Sequence, residues 1–337
     1  MTIKDIAKLC GVSVSTVSRA LNNRPDVSQE LRKKILEVVE ANNYIPNNSA
    51  RDLVKSQSDA IGVVTRGIGN PFFSDMLKTI TREIDLQGYT TVLRQIGSDE
   101  DEIKAGAVLE REKKLQGLLF LGGRFDYTPE ELTSINVPFV CCSYTNGFGT
   151  LQDEEYASVS IDDQEAAFQA VNHLIALGHK RIAALVPSCS DRSISELRYN
   201  GYRAALFSSD ILFDEELLME TGGSFELEDA YAATKTLLSK TEDFTALFVV
   251  SDTMAMAAIK ALSDSGLSVP GDVSVIAIDG LRTSEYIIPT LTTMVQPTVE
   301  MGRESVRILM DMVKSGATPR HCRLEPRMRP GGSVSPL

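Results

Sequence analysis

Beginning at Ala60, short β-branched or continuously apolar runs alternate with amphipathic helical patterns such as those at 72–87 and 100–115. Alternating strand and helix units predict parallel sheets that are covered by helices on both faces. About 270 residues are many for one such sheet, so we predict two similar α/β lobes. The predicted strands are AIGVVTR at 60–66, TTVLRQIG at 90–97, GLLFLGG at 117–123, PFVCCSY at 138–144, RIAALVP at 181–187, ALFVVSD at 246–252 and VSVIAID at 273–279.

The composition is that of a globular chain. Its 337 residues are 43% hydrophobic and 24% charged, which excludes collagen-like, low-complexity and fully disordered proteins. No apolar run approaches the ~20 residues of a membrane-spanning helix, and the N-terminus lacks the apolar core of a signal peptide. We therefore expect a soluble protein of the cytoplasm that does not associate with membranes.

Cysteine and histidine usage argues against disulfides and metals. The five cysteines include the adjacent pair Cys141 and Cys142 and form no disulfide framework. The three histidines, His173, His179 and His321, lack the spacing of metal ligands. We expect reduced, mostly buried thiols and no metal or cofactor.

Charge divides the chain into two parts. Residues 1–56 carry nine Lys and Arg against six Asp and Glu, an excess of three positive charges, although the formal net charge of the whole chain is −12. A basic N-terminal segment on an acidic body is typical of proteins whose first part meets an anionic partner. So small an excess needs support from a sequence motif.

Residues 2–43 predict three short helices. Thr2 with Asp5 has the spacing of a capping box, and Gly11 ends the first helix. Ser13 is placed to cap a second helix from about Val14 to Asn22. The apolar stripe of the first helix is Ile3, Ile6, Ala7 and Cys10, and the third helix follows Pro25, with Ser28 as cap and Leu31, Ile35, Val38 and Val39 as its buried face.

Two short helices joined by a tight turn containing Gly form the helix-turn-helix pattern, whose second helix enters the major groove of DNA. At 100° per residue, Val17 and Ala20 share the buried side of that helix, whereas Ser15 and Arg19 point away from it. Arg can bond guanine in the major groove through two hydrogen bonds. Geometry alone leaves a second interpretation open, a three-helix module that binds a protein.

The residues themselves favour DNA. The segment closely resembles the headpiece of the lactose-repressor (LacI/GalR) family of bacterial transcription regulators. The resemblance is carried by Ile3-Lys4-Asp5-Ile6-Ala7, Gly11-Val12-Ser13, Thr16-Val17-Ser18-Arg19, Asn22, Val27, Tyr44-x-Pro46-Asn47 and Ala50-Arg51-x-Leu53.

This resemblance implies a DNA interface. Base contacts would come from Val14, Ser15 and Arg19. Residues 47–58 would form a hinge helix that folds on the operator, and its Leu53 would enter the minor groove and kink the duplex. The full implied set of DNA-binding residues is Thr2, Ser13, Val14, Ser15, Thr16, Ser18, Arg19, Asn22, Tyr44, Asn47, Ala50 and Leu53.

Polar and aromatic residues follow the predicted strands of the acidic body, at the edge where open α/β folds bind ligands. They are Phe72 and Phe73, Asp162, Arg192 and Arg198, Ser251-Asp252 and Asp279. Such a set suits a small polar ligand. Asp at a strand end is also a common helix cap, and that alternative holds for Asp252.

The resemblance extends across the body through NPFF at 70–73, HLIALGHKRIA at 173–183, Arg198-x-x-Gly201, SDTMAMAA at 251–258, SVPGDVSVIAID at 268–279, PTLTTMVQP at 289–297 and LEPR at 324–327. It implies an effector domain similar to periplasmic sugar-binding proteins, with two lobes, three crossovers and the ligand in the cleft. The effector-binding residues that it implies are Phe73, Arg192, Arg198, Phe225, Asp252 and Asp279. We add the neighbouring Phe72 to this set. Arg198 and Asp279 would grip sugar hydroxyls from opposite sides of the cleft.

The expected domain plan is a headpiece at 1–46, a hinge at 47–58, an effector and dimerisation domain at 59–330 and a flexible tail at 331–337. Within the effector domain, the first lobe would comprise 59–158 and 292–318, and the second 159–291 and 319–330. The tail has no leucine heptads, so a homodimer is favoured over a tetramer.

The function predicted is a repressor that binds a pseudo-palindromic operator as a dimer and responds to a sugar or sugar derivative. A purine is the alternative effector. A nucleotide-binding enzyme is the alternative of another class, but Gly67-x-Gly69 is a partial motif with Phe72 in place of its third glycine. A sugar-transport protein conflicts with the headpiece and with the missing export signal.

Overall fold

A computed structural model describes residues 1–21, 24–42, 58–67, 71–97 and 100–337. The chain divides into two compact units, Met1–Gln57 and Ser58–Leu337. The helices of the first unit are α1 (Ile3–Cys10), α2 (Val14–Leu21) and α3 (Gln29–Ala41).

The first unit has the three predicted helices with the predicted caps. The backbone N–H of Thr2 donates to the Asp5 carboxylate at 2.7 Å, and Gly11 ends α1 in the left-handed region at a φ of 69°. Ser13 Oγ accepts from the backbone N–H of Thr16 at 3.1 Å at the start of α2. The three helices enclose a small apolar core of Ile6, Ala7, Cys10, Val17, Ala20, Val27 and Ile35.

The second unit consists of two α/β lobes, as predicted. Its strands are β1 (Ala60–Arg66), β2 (Thr90–Ile96), β3 (Gly117–Leu121), β4 (Phe139–Cys142), β5 (Ala157–Ser160), β6 (Ile182–Val186), β7 (Leu218–Glu220), β8 (Ala246–Val249), β9 (Ser274–Asp279), β10 (Thr292–Val295), β11 (His321–Arg323) and β12 (Arg327–Arg329). Its helices are α4 (Phe72–Leu86), α5 (Glu102–Lys113), α6 (Pro129–Leu132), α7 (Asp163–Ala176), α8 (Ile194–Ser208), α9 (Leu227–Lys240), α10 (Asp252–Asp264) and α11 (Thr298–Ser315).

Each lobe is built on one six-stranded sheet. The first sheet has the order β11-β5-β4-β3-β1-β2 and the second β12-β10-β9-β8-β6-β7. All strand pairs are parallel except β10 with β12, which are antiparallel. Central strands such as β3 and β6 are buried along their whole length, which is why they appear in the sequence as unbroken apolar runs.

The chain passes between the lobes three times, but two boundaries differ from the prediction. Strand β10 belongs to the second sheet, whereas the prediction places 292–318 in the first lobe. The second passage between the lobes therefore comes later than predicted, between β10 and α11. Strand β11 belongs to the first sheet, although 319–330 was assigned to the second lobe. Strands of three or four residues carry too little pattern to identify their sheet.

The prediction of a flexible tail at 331–337 is wrong. Ser333 is fully buried, and its hydroxyl donates to the carbonyl of Val275 at 2.6 Å. The carbonyl of Ser335 lies 3.0 Å from Nε2 of the buried His179, and the Leu337 N–H donates to Leu177. Buried backbone groups need partners, and these bonds fix the tail on the second lobe. Within the described ranges, no helix is long and apolar enough to cross a membrane.

Candidate functional site

The exposed face of α2 has the composition predicted for it. Val17 and Ala20 are buried in the headpiece core, whereas Val14, Ser15 and Arg19 are exposed. Helical periodicity alone produces this division, because positions three and four apart share a side. Ser15 and Arg19 therefore lie together on the exposed side, whereas Val14, three residues before Val17, lies nearer the buried side and is 40% exposed.

Arg19 is paired within the headpiece. Its guanidinium lies 3.0 Å from the Asp26 carboxylate, with both side chains more than half exposed. Exposed ion pairs contribute little stability, about 0–1 kcal/mol. The pair with Asp26 therefore restrains the Arg19 side chain only weakly.

The remaining implied DNA-binding residues divide into two groups. Thr2 and Ser13 are exposed near the N-termini of α1 and α2, and Thr16 and Ser18 are half-buried on α2. The others lie outside the described residues, and they are Asn22, Tyr44, Asn47, Ala50 and Leu53.

In the second unit, a cleft of about 360 Å³ opens between the lobes. Its wall in the first lobe includes Phe72 and Asp75, at the start of α4. Its wall in the second lobe is the segment 279–283, which follows β9, together with Tyr286. The volume is within the range of small-ligand sites, about 300–1,000 Å³.

Phe73 lies beside the loop that follows β3. Its ring meets Phe72 edge to face at 5.2 Å between centroids. A Cβ at Gly122 would come within 2.9 Å of the Phe73 ring, and the φ of Gly122 is 69°.

Buried Glu102 accepts from the backbone N–H of Arg124 at 2.7 Å and pairs with Arg66, so it joins this loop to the end of β1.

Arg198 and Asp279 form an ion pair, which corrects the expectation that they act from opposite sides of the cleft. Both belong to the second lobe, and Arg198 Nη1 lies 3.2 Å from Asp279 Oδ1. The Asp279 backbone has a φ of 134°, an uncommon conformation for a residue with a side chain and one that clusters at ligand sites. Gln296 donates to the same Asp279 oxygen at 2.9 Å.

A third residue of this cluster, Asp163, was missed in the sequence. Arg198 Nε donates to Asp163 Oδ1 at 3.0 Å, and Nη2 lies 2.9 Å from the same oxygen. The sequence pointed to Asp162, which instead caps α7 through the N–H of Glu165. Nothing in an Asp-Asp pair distinguishes the cap from the residue that turns inward.

Burial controls the electrostatics of the cluster. Burial raises the pKa of Asp163 to about 6 and that of Asp279 to about 7, against the attraction of Arg198. Burial alone would lower the pKa of Arg198, but the charges of Asp163 and Asp279 raise it above its ordinary value. The guanidinium therefore keeps its charge while its two partners hold protons unusually strongly.

Asp252 has a structural role in the second lobe. It is fully buried, and its carboxylate accepts from the Leu281 N–H and the Ser284 hydroxyl at 2.8 Å each and from Thr293 Oγ1 at 2.5 Å. Burial raises its pKa to about 6. Asp252 thus fixes the loop that forms the cleft wall.

Two further predicted residues lie apart from this cluster. Arg192 is exposed before α8, with its backbone N–H donating to Glu196 at 2.8 Å. Phe225 is half-buried and packs against the main hydrophobic core. The structure thus brings together Arg198 and Asp279, with Phe72 on the same cleft.

Comparisons with known proteins agree with both units. The profile of bacterial regulatory proteins of the lacI family matches residues 2–47, and that of a periplasmic binding protein-like domain matches residues 171–334. The chain is 40% identical over 327 residues to the HTH-type transcriptional regulator MalR of Clostridium butyricum, covering 96% of both chains.

Solved structures match the whole length. A lac repressor dimer bound to operator and the anti-inducer ONPF aligns with a TM-score of 0.81 at 26% identity, covering 99% of both chains. A complex of the transcriptional regulator CelR with cellobiose aligns with a TM-score of 0.73 at 29% identity, again covering 99% of both. With its helix-turn-helix headpiece and two-lobed body, the chain belongs to the lacI family of bacterial transcription regulators.

Proposed function

We propose that this regulator is a homodimeric repressor that acts in the cytoplasm, binds a pseudo-palindromic operator and responds to a neutral sugar in the cleft of its body. It acts by binding and not by catalysis. The observation that carries the DNA-binding part is the α2 surface, where Ser15 and Arg19 are exposed directly opposite buried Val17 and Ala20. Twofold symmetry of a dimer matches two operator half-sites.

In this proposal, residues 1–46 bind the major groove and 47–58 form the hinge. Val14, Ser15 and Arg19 contact bases, and the other polar headpiece positions contact phosphates. Leu53 stays a prediction as the minor-groove wedge.

The proposed effector site is the cleft between the lobes. Asp279 lines the cleft, and in this proposal its carboxylate accepts hydroxyl hydrogens. Phe72 also lines the cleft, and although it is only 5% exposed it offers a small apolar surface. The ion pair with Arg198 holds the Asp279 carboxylate in place. The cellobiose complex of a similar regulator supports the choice of a sugar, and a purine is the rival because it too could lie against Phe72.

Replacing Arg19 by Ala is the test of DNA reading. An operator is first selected with the wild-type protein from a random duplex library. The variant is then expected to lose about 1–3 kcal/mol of discrimination at one guanine of each half-site, measured by fluorescence anisotropy on matched and mismatched duplexes. Its thermal unfolding should equal that of the wild type, because the side chain is exposed.

Arg24→Ala is the matched control, since it removes an exposed headpiece arginine outside α2. This variant should bind matched and mismatched duplexes more weakly than the wild type does, and by the same factor. An Arg19→Ala protein that retains full selectivity would refute the assignment of α2.

A thermal-shift screen tests the effector class. Cellobiose, ribose and other neutral sugars are compared with hypoxanthine and guanine. A ligand present at 100 times its Kd stabilises the protein by about 2.7 kcal/mol, which gives a clear rise in melting temperature. Stabilisation by a purine and by none of the sugars would reverse the proposed class.

A further inference from the structure

Two buried carboxylates share one guanidinium in the second lobe. The side chains of Arg198, Asp163 and Asp279 are 2%, 3% and 4% exposed, respectively. Arg198 uses Nε and Nη2 for Asp163 and Nη1 for Asp279 and the Val250 carbonyl. With both carboxylates ionised, this triad carries one surplus negative charge that bulk water cannot solvate.

The surroundings do not remove this surplus. Asp252, at the start of α10, adds a third negative charge that acts on Asp279, and Asp162 acts on Asp163. Gln296 approaches from the end of β10 and offers a neutral amide. Two further cations lie nearby, and each acts on a carboxylate outside the triad: Arg323 on β11 pairs with Asp162 at 2.9 Å, and the charge of Arg329 on β12 acts on Asp252. Raised pKa values for Asp163 and Asp279 follow from this arrangement.

Asp163 also has a special position in the chain. It is the first residue of α7 and follows β5, which ends at Ser160 in the sheet of the first lobe. The Ser160 carbonyl accepts from the Leu324 N–H at 2.8 Å, at the crossover between β11 and β12. Asp163 therefore contacts Arg198 from a position three residues after Ser160, close in the chain to a passage between the lobes.

We propose that Asp163 is a positioning residue for the effector, which holds Arg198 and makes effector binding release a proton. Without ligand, the two carboxylates retain a proton between them. When a neutral sugar donates hydroxyl hydrogens to Asp279, the ionised form is stabilised, the carboxyl O–H bond breaks and the proton passes to the solvent. The identity of the ligand rests on the proposed function, whereas the charge-sharing by Asp163 does not.

The first arm of the test uses the ligand-free full-length protein. Both carboxyls have a higher pKa in the folded protein than the ordinary value of 3.8. Their contribution to stability is therefore complete below pH 4 and is lost as the pH rises through about 6 and 7. The melting temperature is measured from pH 5 to 8 for the wild type and for Asp163→Asn, whose amide oxygen can still accept from Arg198.

We expect the fall in melting temperature across this range to be clearly smaller for Asp163→Asn, because Arg198 then compensates the charge of only one carboxylate, that of Asp279. Asp252, whose pKa burial also raises to about 6, contributes equally to the slope of both proteins. Asp229→Asn is the control, since it removes one exposed carboxylate at the start of α9. It should retain the wild-type slope. Equal slopes for the wild type and Asp163→Asn would overturn the proposal.

The second arm measures proton release with cellobiose as the probe. Calorimetry in phosphate and in Tris separates released protons from the binding enthalpy. The wild-type affinity should weaken roughly tenfold for each pH unit below 7, and the Asp163→Asn affinity should depend little on pH. A wild type that binds cellobiose without proton release would contradict the proposal. Failure of cellobiose to bind would count against the proposed effector instead, and the pH slope of the first arm would then decide the role of Asp163.

Discussion

Replacing Arg198 by Ala is expected to lower the free energy of unfolding of the body by about 3–5 kcal/mol, because it leaves two buried carboxylates without their cation. Asp163 and Asp279 would have to bind protons or draw water into the lobe. The loss should therefore be largest above pH 7 and should shrink toward pH 5, where both groups are protonated in the folded state.

Urea unfolding followed by circular dichroism gives this number, since the chain has no Trp for fluorescence. Arg192→Ala is the matched control, because that arginine is exposed six residues earlier, and it should change stability by less than about 0.5 kcal/mol. Equal stability of Arg198→Ala and the wild type would mean that the triad contributes nothing to the fold. Because Arg198 supports the fold, Asp279→Asn is the cleaner variant for effector binding.

Gly201→Ala should cost about 3 kcal/mol, near the upper end of the range for overpacked cores. A Cβ at Gly201 would lie 2.1 Å from the Gln164 carbonyl oxygen and 2.8 Å from the Ala167 Cβ. Neither atom can rotate away, so α7 and α8 would have to separate. That movement would also draw Arg198, one turn earlier on α8, away from Asp163.

Ala has a higher helix propensity than Gly, by up to about 1 kcal/mol, and this gain opposes the cost of the close contact. A net loss of stability would therefore show that the contact outweighs the propensity. Phe207→Ala on the same helix is the control, because its side chain is 85% exposed. A Gly201→Ala protein as stable as the wild type would show that the two helices are not in such close contact.

The sequence was sufficient to predict the headpiece because its signals are local. Caps such as Ser13, and the division of α2 into a buried side with Val17 and an exposed side with Arg19, depend only on spacing along one helix. The βα alternation was also readable, because parallel strands buried on both faces leave unbroken apolar runs.

Contacts between distant residues could not be predicted in this way. The Arg198–Asp279 pair joins positions 81 residues apart, and a strand-end Asp can equally cap a helix, bind a ligand or fix a loop as Asp252 does. The packing of the tail could not be predicted for the same reason. The burial of Ser333 depends on distant residues at the edge of a sheet whose last strand has only three residues.

The most direct test of an effector-gated regulator is the operator affinity of the wild-type protein with and without the ligand found in the thermal-shift screen. The Kd for the selected operator is measured by fluorescence anisotropy at saturating ligand. We expect it to change by roughly 5- to 150-fold, the usual range of coupling between two sites, and Asp279→Asn should abolish the change while binding the operator normally without ligand. An operator Kd that is the same with and without saturating ligand would contradict the account.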